Sequence, residues 1–245
     1  MEIVFFGALN FKDLVLPYLK DFQIELVVDE HTPLGAICNT ESEVAVLAAF
    51  GKILPKSVLE HFKYGILNIH PSLLPKYRGP SPVQTTILNG DRKTGVTVIK
   101  LDDEMDHGPI LAQEEVEIEN DDTSETMYKK LFPLGAKLIA QNLEKYVKGD
   151  VKLTAQSHID ATYTKMLKRE SGFFDLANPP SLGKLDLMIR AFYPWPGVWT
   201  RWNNKILKFF PENKLQVEGK KPVSHKDFIN GYPNLDQRLL TLLKN

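Results

Sequence analysis

Residues 64–82 read YGILNIHPSLLPKYRGPSP. Gly65–Ile69 is a short apolar run that reads as a buried strand. From His70 to Pro82 the chain then holds four prolines. Each proline fixes φ and removes an N–H, so this segment is neither a helix interior nor a central strand. Asn68 and His70 stand where the strand gives way to the stiff segment. Two apart on extended backbone, their side chains point the same way.

The surroundings argue an α/β fold. Glu2–Phe6 is an apolar, β-rich run ending at Gly7, Lys12–Lys20 has apolar residues at helical spacing, and Ile24–Val28 reads as a second strand. Strand, helix and strand within so short a span predict a parallel βαβ start. Val44–Ala49 is a third strand and Gly65–Ile69 a fourth, with a short helix over Pro55–His61 between them. Pro82–Leu88 suits another helix, and Gly95–Leu101 and Leu111–Ile118 alternate as strands. Asp121, Asp122, Thr123 and Ser124 offer caps and first-turn acids for a long helix reaching about Val147. In such open sheets ligands bind beyond the carboxyl ends of the strands, where Asn68 and His70 fall.

Beyond Gly149 the texture changes. Residues 150–180 are polar and irregular, FFDLANPPSLG (173–183) is a break, and Leu185–Phe192 suits a short helix. Lys205–Phe210 and Leu215–Glu218 read as strands. The expected organisation is a main domain over 1–157, a linker over 158–180 and a small β domain over 181–245. Trp195, Trp199 and Trp202 are expected in the core of that small domain, Trp195 held between Pro194 and Pro196.

Composition sets broad limits. The chain has 245 residues, 43% hydrophobic and 25% charged, which leaves room for a sizeable core. Cys38 is the one cysteine, so no intrachain disulfide forms, which fits a reducing, cytoplasmic compartment. No apolar run approaches the roughly 20 residues of a membrane span. The start, MEIVFFGALNFKDL, lacks a basic region and reads as a first strand rather than a signal peptide. With no evident interface helix, a monomer is expected. Charge is uneven: residues 1–157 hold 16 Lys and Arg against 23 Asp and Glu, net −7, whereas residues 158–245 hold 14 against 8, net +6. Lys205, Lys208, Lys214, Lys220, Lys221 and Lys226 in that basic third suit phosphate contacts, and equally an ordinary solvated surface.

The chemistry starts from Asn68 and His70. An acidic loop, Asp102-Asp103-Glu104-Met105-Asp106-His107-Gly108-Pro109, follows the GVTVIKL strand. A carboxylate from this loop would orient His70 and favour its charged form. The Asn68 amide can donate to a developing oxyanion. Asn, His and Asp together supply an oxyanion donor, a proton shuttle and the shuttle's orienter, an acyl-transfer set. No enzyme nucleophile is evident, since Ser72 lacks a G-x-S-x-G context, so a substrate amine would attack directly. His70, Asp106 and His107 match no zinc-ligand spacing, and no metal is expected.

The block Asn68-Ile-His70-Pro-Ser72-Leu-Leu-Pro75-Lys-Tyr77-Arg78-Gly79, with Asp106 thirty-eight residues after Asn68, closely resembles the folate-dependent formyltransferases. Further stretches resemble the branch acting on methionyl-tRNA: AAFGKILPKSVLE (48–60), DTSETMYKKL (122–131), TYTKML (162–167), IRAFYPWPGVW (189–199) and EGKKPVSHKDFINGY (218–232). The resemblance implies a Rossmann-like formyltransferase domain followed by a small, truncated, OB-like β domain. It implies formyl transfer from 10-formyltetrahydrofolate to the amine of methionyl initiator tRNA. It assigns Asn68 as oxyanion donor, His70 as proton shuttle and Asp106 as the group that tunes His70. It places Phe50, Gly51, Ile53 and Leu54 against the pterin and Ser72, Leu73, Leu74 and Pro75 along the folate site. The resemblance also implies a shortened member: where the family carries a further β–α unit and a basic loop, DEHTPLGAICNTESE (29–43) holds no Lys or Arg. The alternative acceptor is an amino sugar linked to a nucleotide, because sugar-modifying relatives share the Asn-x-His block.

Overall fold

The computed structural model describes residues 1–243, with Asn10 described by its backbone alone. In chain order it contains β1 (Glu2–Gly7), α1 (Leu9–Val15), β2 (Gln23–Val28), β3 (Ala45–Ala48), α2 (Lys56–Leu59), β4 (Ile66–His70), α3 (Pro82–Asn89), β5 (Lys93–Lys100) and β6 (Ile110–Glu117). There follow α4 (Ser124–Lys148), α5 (Leu182–Phe192), β7 (Val198–Trp202), β8 (Lys205–Phe210), β9 (Lys214–Val217), β10 (Val223–Ser224), α6 (His225–Gly231) and α7 (Gln237–Leu243). They form two compact units. The first comprises Met1–Pro82, Arg92–Glu117 and Tyr128–Lys165; the second comprises Val83–Asp91, Ile118–Met127 and the chain from Met166 onward. Residues 158–165 thus run through the first unit and 166–180 through the second. No described helix is long and apolar enough to cross a membrane.

The first unit carries a six-stranded sheet in the order β2-β1-β3-β4-β5-β6. Pairs β1–β2, β1–β3 and β3–β4 are parallel, whereas β4–β5 and β5–β6 are antiparallel. Strands β1, β3 and β4 are almost wholly buried, as parallel strands covered on both faces must be. Alternation along β4 splits its side chains between the faces: Leu67 and Ile69 one way, Ile66, Asn68 and His70 the other. Ile66 joins an apolar cluster with Val4, Phe6, Phe50, Val58 and Phe62, in which Phe6 meets Phe50 and Phe62 edge to face. Ile69 faces α4. A Cβ built on Gly135 of α4 would lie 2.3 Å from Ile69 Cγ2 and 2.9 Å from Val96 Cγ2. Only a glycine lets the helix backbone sit so close to β4 and β5.

The first helix starts earlier than its apolar spacing suggests. It covers Leu9–Val15 and passes into a 3₁₀ turn over Leu16–Tyr18, rather than running over Lys12–Lys20. Pro17 has no N–H to extend the α-helical ladder.

The second unit contains a four-stranded antiparallel sheet in the order β10-β9-β8-β7. These strands follow chain order as a meander. A five-stranded Greek-key barrel of the OB type needs a further strand and a crossover beyond what β7–β10 supply. The outer edge of β7 is occupied by Phe174, whose N–H donates to Trp199 O at 3.0 Å and whose carbonyl accepts from Thr200 Oγ1 at 2.7 Å. Two helices close the described chain where only β structure was expected. The first is signalled by Ser224-His-Lys-Asp227: Ser224 Oγ accepts from Asp227 N at 3.1 Å as an N-cap. Trp202 packs on Phe228 of α6 and on Tyr232, which follows it, and Trp199 on Phe173. Trp195 corrects the expectation of three core tryptophans: it is 55% exposed. It sits in the Pro-flanked turn before β7, outside the alternation that turns strand side chains inward.

His225, the first residue of α6, has both ring nitrogens buried with no partner in hydrogen-bonding geometry. Burial pushes its imidazole below the ordinary value, and the Leu243 backbone pulls weakly the other way. Below the ordinary histidine value of about 6.5, the unfolded chain binds a proton that the folded one resists, so stability falls as pH drops through that range. Thermal unfolding at pH 7 and pH 5.5 should show a larger acid-induced loss for the native protein than for His225→Phe. Equal losses would mean that His225 does not contribute to the acid sensitivity.

Candidate active site

The loops that follow β1, β3 and β4 leave the same end of the sheet, because these strands are parallel. At that end Ala48 pairs with Ile69, and Ala8 N–H donates to Ala49 O at 3.4 Å. Asn68 and His70 are therefore carried by a rigid central strand, and both are buried, at 7% and 4% exposure.

Asp106 arrives from the other direction. Strand β5 is antiparallel and ends with Lys100 beside Leu67, near the start of β4. The loop then turns back, with Gly108 so close to Lys100 that a Cβ would lie 1.8 Å from its carbonyl oxygen. Asp106 itself has a φ of 50°. Its Oδ1 lies 3.4 Å from Asn68 Nδ2 and 3.5 Å from His70 Nδ1, and its Oδ2 accepts from Gly79 N–H at 2.7 Å. The three residues expected as a set are brought together.

The other edge of His70 is held too. Its Nε2 lies 3.0 Å from Tyr77 O. A carbonyl only accepts, so Nε2 carries the hydrogen in this contact, and a neutral ring keeps its lone pair on Nδ1, toward Asp106. Neighbouring His107 turns away: its Nδ1 meets Asp102 Oδ2 at 2.7 Å and its ring stacks on His158 at 4.0 Å.

Sequence reasoning missed the backbone partners Tyr77 O and Gly79 N–H. Both belong to residues with positive φ, 64° and 107°. Gly79 alone carried a signal, as a glycine set among prolines where a left-handed residue is needed. It also missed Thr97, fully buried opposite His70 on β5. Thr97 Oγ1 donates to Ser72 O at 2.6 Å and accepts from Leu74 N at 3.1 Å and Gln113 Nε2 at 2.8 Å. Gln113 Nε2 also donates to Leu74 O at 2.9 Å. This network fixes the segment that leaves His70.

The residues expected to line a folate divide into two groups. Ser72 and Leu74 are buried, and Ser72 Oγ is committed to Lys76 O at 2.7 Å. Leu73 is half-buried; its side chain lies where a Cβ on Gly95 would be, 2.4 Å away. Pro75 is half-buried. This segment therefore offers mainly its backbone edge. After β3, Phe50 and Leu54 turn into the apolar cluster. Gly51 has a φ of +73° with open space around it, and Ile53 is 89% exposed. An open glycine beside an exposed apolar side chain fits a flat ring laid against the loop.

The family described as formyl transferase matches residues 28–143. Curated relatives include methionyl-tRNA formyltransferases of Chloroflexus aggregans, 45% identical over 69% of this chain and 54% of the relative, and of Chloroflexus aurantiacus, 43% identical over 77% and 60%. The chain thus spans little more than half the length of the first of these relatives. Among solved structures, a methionyl-tRNA formyltransferase from Clostridium thermocellum superposes with a TM-score of 0.71 at 19% identity, covering 91% of this chain and 99% of that one. HypX from Aquifex aeolicus in complex with tetrahydrofolic acid superposes at 0.74 with 16% identity, covering 95% of this chain and 47% of that one. At these identities the two structures establish a shared fold.

Thr97→Val removes the hydroxyl that serves Ser72, Leu74 and Gln113 together. Leaving such buried groups unsatisfied costs about 1–3 kcal/mol, and urea unfolding should show a loss of that size. An unchanged midpoint would mean that the network rearranges without cost.

Proposed function

We propose that this chain, whose residues 28–143 match the family described as formyl transferase, moves a formyl group from 10-formyltetrahydrofolate to the amine of methionyl initiator tRNA. The observation that carries this reading is the convergence of Asn68, His70 and Asp106, with no enzyme nucleophile needed. Identities of 43–45% with proteins named methionyl-tRNA formyltransferase support the acceptor.

The step balances as a direct transfer. The acceptor amine attacks the formyl carbon, forming the new C–N bond, and the carbonyl π pair moves to oxygen. The Asn68 amide donates to that oxyanion. His70 takes the amine proton at Nδ1 while Tyr77 O holds its Nε2–H, and the Asp106 carboxylate favours the imidazolium that results. Collapse restores the carbonyl and breaks the bond to the folate nitrogen, which leaves with the electron pair and takes the proton back from His70. The products are the formylated amine and tetrahydrofolate. The donor ring lies on the open edge of Gly51 and Ile53, with its formyl end toward Asn68.

The acceptor would meet the basic C-terminal third, residues 158–245. Of its six lysines considered above, Lys214 pairs with Glu212 at 2.6 Å and Lys220 Nζ donates to Tyr232 Oη at 2.8 Å. Lys205, Lys208, Lys221 and Lys226 are the better candidates for phosphate contacts, whose affinity would weaken with salt.

Transfer of labelled formyl from 10-formyltetrahydrofolate should be followed with methionyl initiator tRNA and with nucleotide-linked amino sugars as acceptors. The tRNA is the expected acceptor. Transfer to a sugar alone would reassign the substrate and keep the chemistry. His70→Ala and Asp106→Ala should lower turnover roughly 10²-fold or more, as loss of a positioned acid–base group does. Asn68→Ala should lower it on the order of 10²-fold through the oxyanion. A variant turning over at the native rate would remove that residue from its role.

A further inference from the structure

The segment after α4 reads as polar and irregular, yet it is stitched to the site. Thr154 exchanges two backbone hydrogen bonds with Ile110, at 2.7 and 2.8 Å. Further on, Arg78 N–H donates to Thr162 O at 2.8 Å, and Thr164 N–H to Arg78 O at 2.7 Å. Between these anchors lies Gln156, 6% exposed.

The Gln156 side chain is fully used. Nε2 donates to Asp106 O at 2.9 Å and to Gly108 O at 2.7 Å. Oε1 accepts from Arg78 Nη2 at 2.7 Å and Nε at 3.1 Å. A side-chain amide has two donors and two acceptor lone pairs, and here every one has a partner. The orientation admits no flip. Reversal would set the carbonyl oxygen against two carbonyls and the NH₂ against a guanidinium that can only donate. Arg78 is itself 1% exposed, with Nη2 also 2.9 Å from His158 Nδ1 and Nη1 3.4 Å from Tyr163 Oη.

The two carbonyls that Gln156 grips flank the turn in which Asp106 adopts its left-handed backbone. Arg78 lies between Tyr77, whose carbonyl meets His70, and Gly79, whose N–H meets Asp106. One side chain thus ties the loop bearing Asp106 to the segment bearing both backbone partners. We infer that Gln156 is a positioning residue for the transfer proposed above: through Arg78 and the 106–108 turn it sets the distance of the Asp106 carboxylate from His70 and Asn68. The inference rests on the catalytic reading of those three residues.

The test compares Gln156→Met, Asp106→Asn and the double variant in the formyl-transfer assay, with Gln156→Glu alongside. Met keeps the length without polar atoms. Glu keeps an anchor for Arg78 and loses the two donors, so the 106–108 loop is released while Arg78 stays tied to the segment after α4. Both Gln156 variants should lose roughly 10- to 100-fold in kcat, the scale of a small misplacement of a catalytic group, with KM for the formyl donor little changed. The pH profile of kcat should shift with them. In the Asp106→Asn background, Gln156→Met should add less than about twofold, because its effect passes through Asp106. Native kcat in both Gln156 variants beside a crippled Asp106→Asn overturns the inference, as does a full multiplicative loss in the double variant. Native activity in Asp106→Asn would instead overturn the catalytic reading beneath it.

Discussion

The carboxylate of Asp106 is the point on which the site depends. It accepts the Gly79 N–H at 2.7 Å through one oxygen and faces Asn68 and His70 through the other. Two residues with side chains, Tyr77 and Asp106, stand in the left-handed region to make this possible. Such conformations cost about 1–3 kcal/mol each. A hydrogen bond to a charged group contributes about 1.5–3 kcal/mol, so the Gly79 contact offsets roughly one of them. The rest falls to packing around the loops, which is why Thr97 and Gln156, neither facing the reacting atoms, are buried and saturated with partners.

Strand β4 divides the labour between its faces. Leu67 and Ile69 bind it to the interior under α4, where Gly135 lets the helix come close. Asn68 and His70 face away, beside the ends of β1 and β3 where loops are free to present backbone. The antiparallel turn into β5 then brings an acidic loop back to the same strand. Parallel strands supply the crevice, and the reversal at β5 supplies the carboxylate.

Much of this was legible in the sequence, and the illegible parts share a cause. The apolar run ending in Asn-x-His, the wall of prolines and the capped long helix are local patterns, and each reads directly as structure. That a carboxylate would meet His70 was read from the acidity of the loop, and the family resemblance singled out Asp106. What escaped were contacts to backbone and through buried amides. Nothing in the letters Tyr77 or Gln156 says where a carbonyl will point or which loop an amide will grip, because φ/ψ and tertiary approach decide that. The family resemblance places Ser72 and Leu74 along the folate site, yet their side chains turn inward. Trp195 looked like core by composition, but it sits outside the strand alternation that buries side chains. Ser224-His-Lys-Asp227 did carry a helix signal, and the β character of the preceding strands obscured it.

The central claim is that the formyl group passes directly to the acceptor, with Asn68, His70 and Asp106 attending and no covalent stop on the protein. Rapid mixing of the protein with 10-formyltetrahydrofolate, first alone and then with methionyl initiator tRNA, measures this as tetrahydrofolate released per protein chain. Direct transfer gives no release until the acceptor is present, then release matched one for one by formylated product. A burst of tetrahydrofolate equal to the protein before any acceptor is added would contradict it, by showing a formyl-enzyme that this arrangement of residues does not provide for.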